Sequence, residues 1–413
     1  MKRIRVCIKD RFDLGFKLKL ARRIANGGYS NVLMHEYLQL LYFWNGLKEP
    51  NSEKAGAHRF VASFREMVNK EKESHEQKLP PIPVNQLGKI QNGSHRLAIS
   101  LSLKKTPVFY LASGAANYNY YYFQKYKSVR GRLPKILLLK MLLRNFEFFN
   151  RDIRVAIVFP RAMQRDNGQK AYEILENNIV WDQVYDVDEK LLEYIIMNLY
   201  PGETWLDLAR GGLGIRSKKN SVIAKSVLQR IRLLVYYEDT GFQTKNKKDI
   251  IREFYGIGKS SIHISDNTTD ARSAIYAIFS ISSAPLEVRN INYRSSVLGH
   301  LNDKFHRITA DIEECNGIML VGSGPLDIFG VRPAKDLDFI SSLEGKPLDG
   351  YSQHNPYFFF YSDHPQNLID NLDNKLFLFG LPVAKLSTVI EFKKRRRERK
   401  DVEDISLIRK IFN

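Results

Sequence analysis

Cysteine is almost missing from this chain: Cys7 and Cys315 are the only two in 413 residues. Neither a disulfide framework nor a Cys-rich metal site can be built from them, and a reducing, cytoplasmic setting is the expectation. Long apolar runs are missing as well. The opening MKRIRVCIKDRFDLGF has charges where a secretory core would be apolar, and the longest greasy stretch, Lys135 to Leu143, is interrupted by Lys140. Neither a signal peptide nor a membrane span is therefore expected. Negative charge is in short supply: 45 Asp and Glu stand against 64 Lys and Arg, a formal +19. Such an excess suits phosphate-rich partners, whether nucleic acid, nucleotides, phosphosugars or an anionic membrane face.

What is present is an ordinary globular mix, 44% apolar and 26% charged, which excludes wholesale disorder and fibrous structure. The length allows two or three domains. Residues 69 to 85 form a charged stretch ending in Pro80, Pro81 and Pro83 and read as a loop leading into a strand. From there GKIQNGSHRLAISLSLKKTPVFYL reads as strand, turn, helix, strand. ASGAANYNYYYFQKY reads as a loop and LPKILLLKMLLRNFEFF as a core helix. IRVAIVFP, IVWDQVYDV and IRLLVYYED are strand-like, with helical segments between them and a glycine-rich basic loop at Arg210 to Asn220. Past SSAPLEV a further unit opens with a helix in LNDKFHRITADIEEC, then strands GIMLVGS and KDLDFI. The expected fold class is α/β (α+β), in three consecutive small mixed-sheet domains at 1–150, 151–285 and 286–413.

VGSGPLDIFGVRPAKDLDFI places Gly322 and Ser323 at a strand end and Asp336 and Asp338 on the next strand. Residues two apart on a strand point to one face, so both carboxylates meet the Gly-Ser turn. Oxygen ligands for Mg²⁺ beside backbone N–H groups for phosphate are what a metal-bound nucleoside triphosphate requires. This arrangement resembles the polymerase-β-like nucleotidyltransferase superfamily, and GLPVAKLSTVIEFKKRRRERKDVEDISLI resembles the tail of its small bacterial members. The resemblance covers about 288–413. It implies that Gly322 and Ser323 hold phosphate, while Asp336 and Asp338 bind Mg²⁺ and are catalytic with ATP or another NTP. The family's third carboxylate has no clear counterpart; Asp363 and Asp370 are the available positions.

His263 lies in SSIHISDN, with Arg252 eleven residues before it and Ser265 and Asp266 just after. An imidazole beside phosphate-binding cations can take a phosphoryl group covalently. VAIVFPRAMQRDNGQKAYEILENNIVWDQVYDVDEKLLEYIIMNLY resembles the opening of nucleoside diphosphate kinases, and KDIIREFYGIGKSSIHISDNTTDARSAIYAIF resembles their closing segment, over about 153–283. The resemblance implies His263 as the catalytic phosphoacceptor, Arg252 as a phosphate-binding arginine and Tyr200 as a tyrosine near the site. It is degenerate: Phe159 replaces the family's lysine, with Arg161 nearby, Ser260 an asparagine, and Ala274 the glutamate that orients the imidazole. GIGKSS is not a Walker loop, because the position five before Gly258 is Glu253.

In IQNGSHRLAISLSL a strand ending at Asn92 and Gly93 opens a helix at Ser94 to Arg96, bringing a helix N-terminus, His95 and Arg96 to one spot. Ser94 is also a natural helix cap. The segment resembles the ParB and sulfiredoxin superfamily over about 30–112, which implies that Asn92, Gly93, Ser94, His95 and Arg96 contact a nucleotide phosphate.

The run Lys393 to Lys400, KKRRRERK, reads as a solvated connection between two helices, ion-paired to Glu391, Glu398 and Asp401. YNYYYFQKY could stack bases. The combined expectation is a phosphotransferase or nucleotidyltransferase using an NTP and Mg²⁺ on a small metabolite or sugar phosphate. Association alone links such modules to surface-glycan precursors. Nucleic-acid binding through the basic surface, and a noncatalytic nucleotide-binding scaffold, are the competing expectations.

Overall fold

The computed structural model describes residues 6–49, 54–74, 79–149, 153–175, 179–226, 228–238, 241–303, 317–342 and 352–412. The chain divides into two compact units, 1–151 and 152–413, and is mixed α/β throughout.

The first unit is mainly helical. Helices Leu14–Ala25, Asn31–Asn45 and Ala57–Glu73 pack with Ser94–Ser102 around Leu20, Tyr37, Phe60, Phe64 and Ile99, all buried. Ser30 caps the second helix by accepting from Leu33 N (3.3 Å). Gly15 lets the first helix touch the helix Lys135–Phe146, since a Cβ there would lie 2.5 Å from the Arg144 backbone. Two short strands, β1 (Ile82–Val84) and β2 (Phe109–Leu111), pair in parallel. A hairpin joins β3 (Lys127–Ser128) to β4 (Gly131–Arg132).

Three expectations are corrected here. The charged stretch from residue 69 begins as helix, because Val68 and Glu71 continue the buried stripe of Ala57–Glu73. The strand expected up to Asn92 and Gly93 is reduced to a single bridge from Ile90 to Val84, since Gly93 turns the backbone at φ +81°. In the tyrosine-rich stretch, Tyr120–Lys125 is helical, with Asn119 accepting from Tyr122 N (3.1 Å) as its cap.

The second unit carries two sheets. β5 (Ile153–Val158), β6 (Ile179–Val187), β7 (Gln229–Tyr237) and β8 (Ile262–Ile264) form one in the order β6-β7-β5-β8. All its pairings are antiparallel, and helices connect β5 to β6 and β7 to β8, the split-βαβ arrangement. Arg210 to Asn220 is corrected from loop to helix: Gly211 and Gly212 take left-handed backbones, and the helix Leu213–Val222 follows, burying Ile215 and Val222.

β9 (Ile318–Val321), β10 (Asp338–Ser341), β11 (Ser352–Gln353), β12 (Lys375–Leu378) and β13 (Leu381–Ala384) make a mixed sheet in the order β11-β10-β9-β13-β12. The helix Thr268–Ser283 ties the two sheets together: Tyr276 stacks on Phe377 at 4.1 Å and Ser280 Oγ accepts from Phe377 N (2.9 Å). The parts expected at 151–285 and 286–413 thus share one compact unit. Most of the helix expected in LNDKFHRITADIEEC lies outside the described residues; Ser296–Asp303 is helical. No described helix is long and apolar enough to cross a membrane.

Candidate functional site

β9 is followed by Gly322, whose φ of +64° turns the chain into Ser323 and the short helix Gly324–Ile328. β10 starts at Asp338, paired with Val321, so the carboxylate lies across the turn. A Cβ at Gly322 would sit 2.2 Å from Asp338 Oδ2. Only glycine both adopts this backbone freely and leaves room for that carboxylate. Asp336 precedes the strand, and Ser323 Oγ donates to its carboxylate and its backbone carbonyl, both at 3.2 Å. The structure therefore brings Gly322, Ser323, Asp336 and Asp338 together.

They form one side of a cleft of about 420 Å³. Arg332, Lys335, Arg396 and Lys400 are also in its lining, with the acids Glu403 and Asp404. Burial, and next the charge of Asp336, push the Asp338 carboxyl up to about 6 against the pull of Arg396, Lys400 and Lys393. His354 is pushed down to about 4 by burial and then Arg396, and its Nδ1 meets Tyr361 Oη at 2.8 Å.

Several cations around the cleft are already committed. Arg332 grips Asp404 with two bonds (2.5 and 2.9 Å); Lys393 bridges Asp401 and Asp404 (2.9 and 2.8 Å); Arg396 bonds Asp401 twice (2.7 and 2.9 Å). Lys335 makes no ion pair among the described residues, and Lys400 pairs with Glu398 at 3.1 Å.

Neither position available for a third carboxylate enters the cleft. Asp363 accepts from His364 N and Asn367 Nδ2, both at 2.8 Å, at the start of the helix Pro365–Asp370. Asp370 is buried on that helix and accepts from Gln366 Nε2 (3.3 Å). Among the described residues no group of three or more His, Cys, Asp or Glu side chains converges for a metal. Two adjacent carboxylates still fit a hard cation. Mg²⁺ is commonly held by one or two carboxylates, with nucleotide phosphates and water completing its shell.

Sequence reasoning missed His354 in this cleft, and no local signal marks it. Arg332 and Lys335 were within reach, since both lie in the RPAKDLD segment that carries the carboxylates.

A second constellation surrounds His263, 7% exposed on β8. Tyr200 meets its ring edge-on at 4.8 Å, and Arg252 bears on both groups electrostatically. The three residues named from the sequence thus come together. Burial first, then Lys248, with Lys218 and Arg252 adding to it, push the imidazole down to about 3. Its Nε2 is buried without a hydrogen-bond partner, as is Arg252 Nε. Ala274 offers no acceptor to orient the ring.

Lys218 is pushed down to about 8 by burial and by Arg252 and Lys259, and donates to Lys259 O at 2.7 Å. Its proximity to His263 was hidden by reading 210–220 as a loop. Asp266 pairs with Lys248 at 2.7 Å. Ser265 is structural: its Oγ accepts from Val155 N, and its N–H donates to Val155 O, both at 2.9 Å.

In the first unit Asn92 Oδ1 accepts from Gly93 N at 2.6 Å. Gly93, not Ser94, is the N-cap; the Ser94 hydroxyl instead accepts from Lys17 Nζ at 2.6 Å. Lys17 and Arg11 both pair with buried Asp13, which holds that carboxyl below the usual carboxylate range despite its burial. His95 Nε2 meets Tyr37 Oη at 3.0 Å, and burial, then Lys17 and Lys54, keep the imidazole well below its ordinary pKa. Arg96 donates to Pro80 O and Pro81 O (3.0 and 2.6 Å). All four side chains expected to meet a phosphate, Asn92, Ser94, His95 and Arg96, are thus engaged with protein groups.

Comparison with protein-family models, curated proteins and solved structures returned no match.

Proposed function

We propose that the cleft beside β9 and β10 binds a nucleoside triphosphate with Mg²⁺, and that the protein transfers a phosphoryl or nucleotidyl group to a small phosphate-bearing acceptor. The observation that carries this reading is the Asp336 and Asp338 pair at the Gly322–Ser323 turn, in a cleft also lined by Lys335, Arg396 and Lys400. Asp336 and Asp338 would hold the cation, which supplies charge neutralisation to the triphosphate and alignment for in-line displacement. Backbone N–H groups after Gly322 and the uncommitted Lys335 suit phosphate oxygens. The ion pairs of Lys393 and Arg396 with Asp401 favour this reading over a polyanion surface at 393–400, because they neutralise part of that run.

His263 supports a subsidiary phosphoryl-transfer role. An imidazole pushed down to about 3 is neutral near pH 7 and so keeps a nucleophilic lone pair, with Lys248, Lys218 and Arg252 bearing on it. Its orphaned Nε2 leaves the tautomer unset, which is why the main assignment rests on the carboxylate cleft.

Incubation with α- and γ-labelled ATP, Mg²⁺ and a pool of small metabolites tests the proposal. Mg²⁺-dependent label transfer is expected, falling about 100-fold or more in Asp336→Asn and Asp338→Asn. Transfer and Mg-nucleotide binding that both survive in the double variant would overturn it. Nucleotide binding with no transfer to any acceptor would reduce the protein to a noncatalytic scaffold.

A further inference from the structure

From Gln77 to Phe146 the chain contains no aspartate or glutamate, while lysine and arginine recur throughout. The middle of this stretch folds, within the first unit, into the helix Tyr120–Lys125 and the hairpin of β3 and β4. Rings accumulate there. Tyr122 lies 5.4 Å from Tyr126, nearly parallel at 29°, and Tyr118 meets Tyr122 edge-on at 4.9 Å. Trp44 fixes them: its Nε1 donates to Tyr122 Oη (3.2 Å), and its carbonyl accepts from Tyr126 Oη (2.7 Å). Between these rings and Lys125 runs an open groove of about 420 Å³, lined by Asn117, Asn119, Tyr121, Tyr122, Lys125 and Tyr126.

Lys125 lines the groove, and Lys127, Arg130, Arg132 and Lys135, which follow it in the chain, are exposed as it is. None makes an ion pair among the described residues; Arg130 instead lies over Tyr42 (4.3 Å) and donates to its hydroxyl (2.8 Å). Rigid aromatic faces in a groove, flanked by cations with no acidic neighbour in the sequence, match one kind of partner. Unpaired bases stack on any aromatic face, and their phosphates need positive charge alongside.

We infer that this face of the first unit binds single-stranded nucleic acid, with bases stacked at Tyr121, Tyr122 and Tyr126 and the backbone held by Lys125 and the hairpin cations. A duplex hides the faces that the groove would stack. A bilayer surface would offer the cations the same charge but no bases for the rings to stack on. This surface shares no residue with the carboxylate cleft and does not depend on the transferase reading.

Fluorescence anisotropy of the full chain with a labelled, mixed-sequence single strand of about 12 nucleotides provides the test. Affinity should fall linearly with salt on a double-logarithmic plot. In Lys127→Gln/Arg130→Gln/Arg132→Gln it should drop about 10-fold or more, and the slope should flatten by about 2. Tyr126→Leu should weaken binding about 5- to 150-fold with the slope unchanged, whereas Tyr126→Phe, which keeps the ring and loses only its bond to the Trp44 carbonyl, should lose far less. Equal affinity for the matching duplex would overturn the inference. So would binding to phosphatidylserine vesicles without oligonucleotide binding, an unchanged salt slope in the charge variant, or oligonucleotide binding lost only in Asp336→Asn/Asp338→Asn.

Discussion

At His263 the native and unfolded chains hold a proton with different strength. Burial and the surrounding lysines push the folded imidazole down to about 3, whereas an unfolded histidine titrates near 6.5. Between those values the unfolded chain takes up a proton that the native state refuses. The contribution to stability is therefore complete above about pH 6.5 and is lost as pH falls, by about 1.4 kcal/mol per unit. Urea unfolding at pH 7 and pH 5 should show His263→Leu losing about 2 kcal/mol less than the parent over that interval. Equal losses would mean that the imidazole is not held neutral. The same burial that keeps the ring uncharged at neutral pH also makes it costly in acid. Gly322 shows a different constraint, since its missing side chain is the space occupied by the Asp338 carboxylate.

At the scale of elements, the helices Leu386–Arg396 and Arg399–Phe412 are joined by one acid rather than by a loop of free charge. Asp401, fully buried, accepts from Lys393, Arg396 and the Glu398 N–H (3.1 Å), closing the turn at Arg397, whose φ is +59°. Removing one partner of a buried ion pair strands the others in a medium that solvates them poorly. Asp401→Ala should lower stability by about 2–4 kcal/mol, a little less than a fully orphaned pair because Asp404 still holds Lys393. A urea midpoint shift with unchanged denaturant slope is the readout; a shift below about 0.5 kcal/mol would show that the junction is held by packing alone. Since Arg396 lines the cleft, the same change should also weaken Mg-nucleotide binding.

For the whole molecule, the boundary that matters physically lies near residue 151 rather than near 285. Beyond the Tyr276 and Ser280 contacts with Phe377, the helix Glu189–Leu199 bonds the second sheet through Asn198 Oδ1 to Phe379 N (2.6 Å) and Tyr194 Oη to Phe377 O. A fragment of residues 152–413 should unfold in one cooperative thermal transition. A fragment of 152–285 should bind a hydrophobic dye and aggregate, because Tyr276 and Phe279 lose the ring of Phe377 that covers them. Independent cooperative folding of 152–285 would contradict this. The formal +19 divides unevenly by role: part is neutralised at the C-terminal helix pair, part bears on His263 and the carboxylate cleft, and part is left exposed beside the tyrosine groove.

How much of this was legible in the sequence depended on whether the signal was local. IRVAIV and IRLLVYY are strands because β-branched and apolar side chains suit a buried sheet, and the Gly322, Ser323, Asp336 and Asp338 set was visible as spacing along the chain. Tyr200, Arg252 and His263 were named together from the resemblance to nucleoside diphosphate kinases, and they meet in space. At Arg210 to Asn220 two glycines masked a helix whose buried apolar residues, Ile215 and Val222, stand seven apart, the spacing of two turns. The sequence by itself determined the strongly periodic strands and helices, the charge excess and the residues able to do chemistry, since these follow from side-chain size, periodicity and ionisation. Tertiary structure alone decided that Asp338 occupies the space over Gly322, that His354 enters the cleft, that Lys393 and Arg396 are spent on Asp401, and that His95 and Arg96 are engaged by protein groups. Each is a contact between residues distant in the chain or across a turn, fixed by packing and desolvation that one-dimensional spacing does not encode.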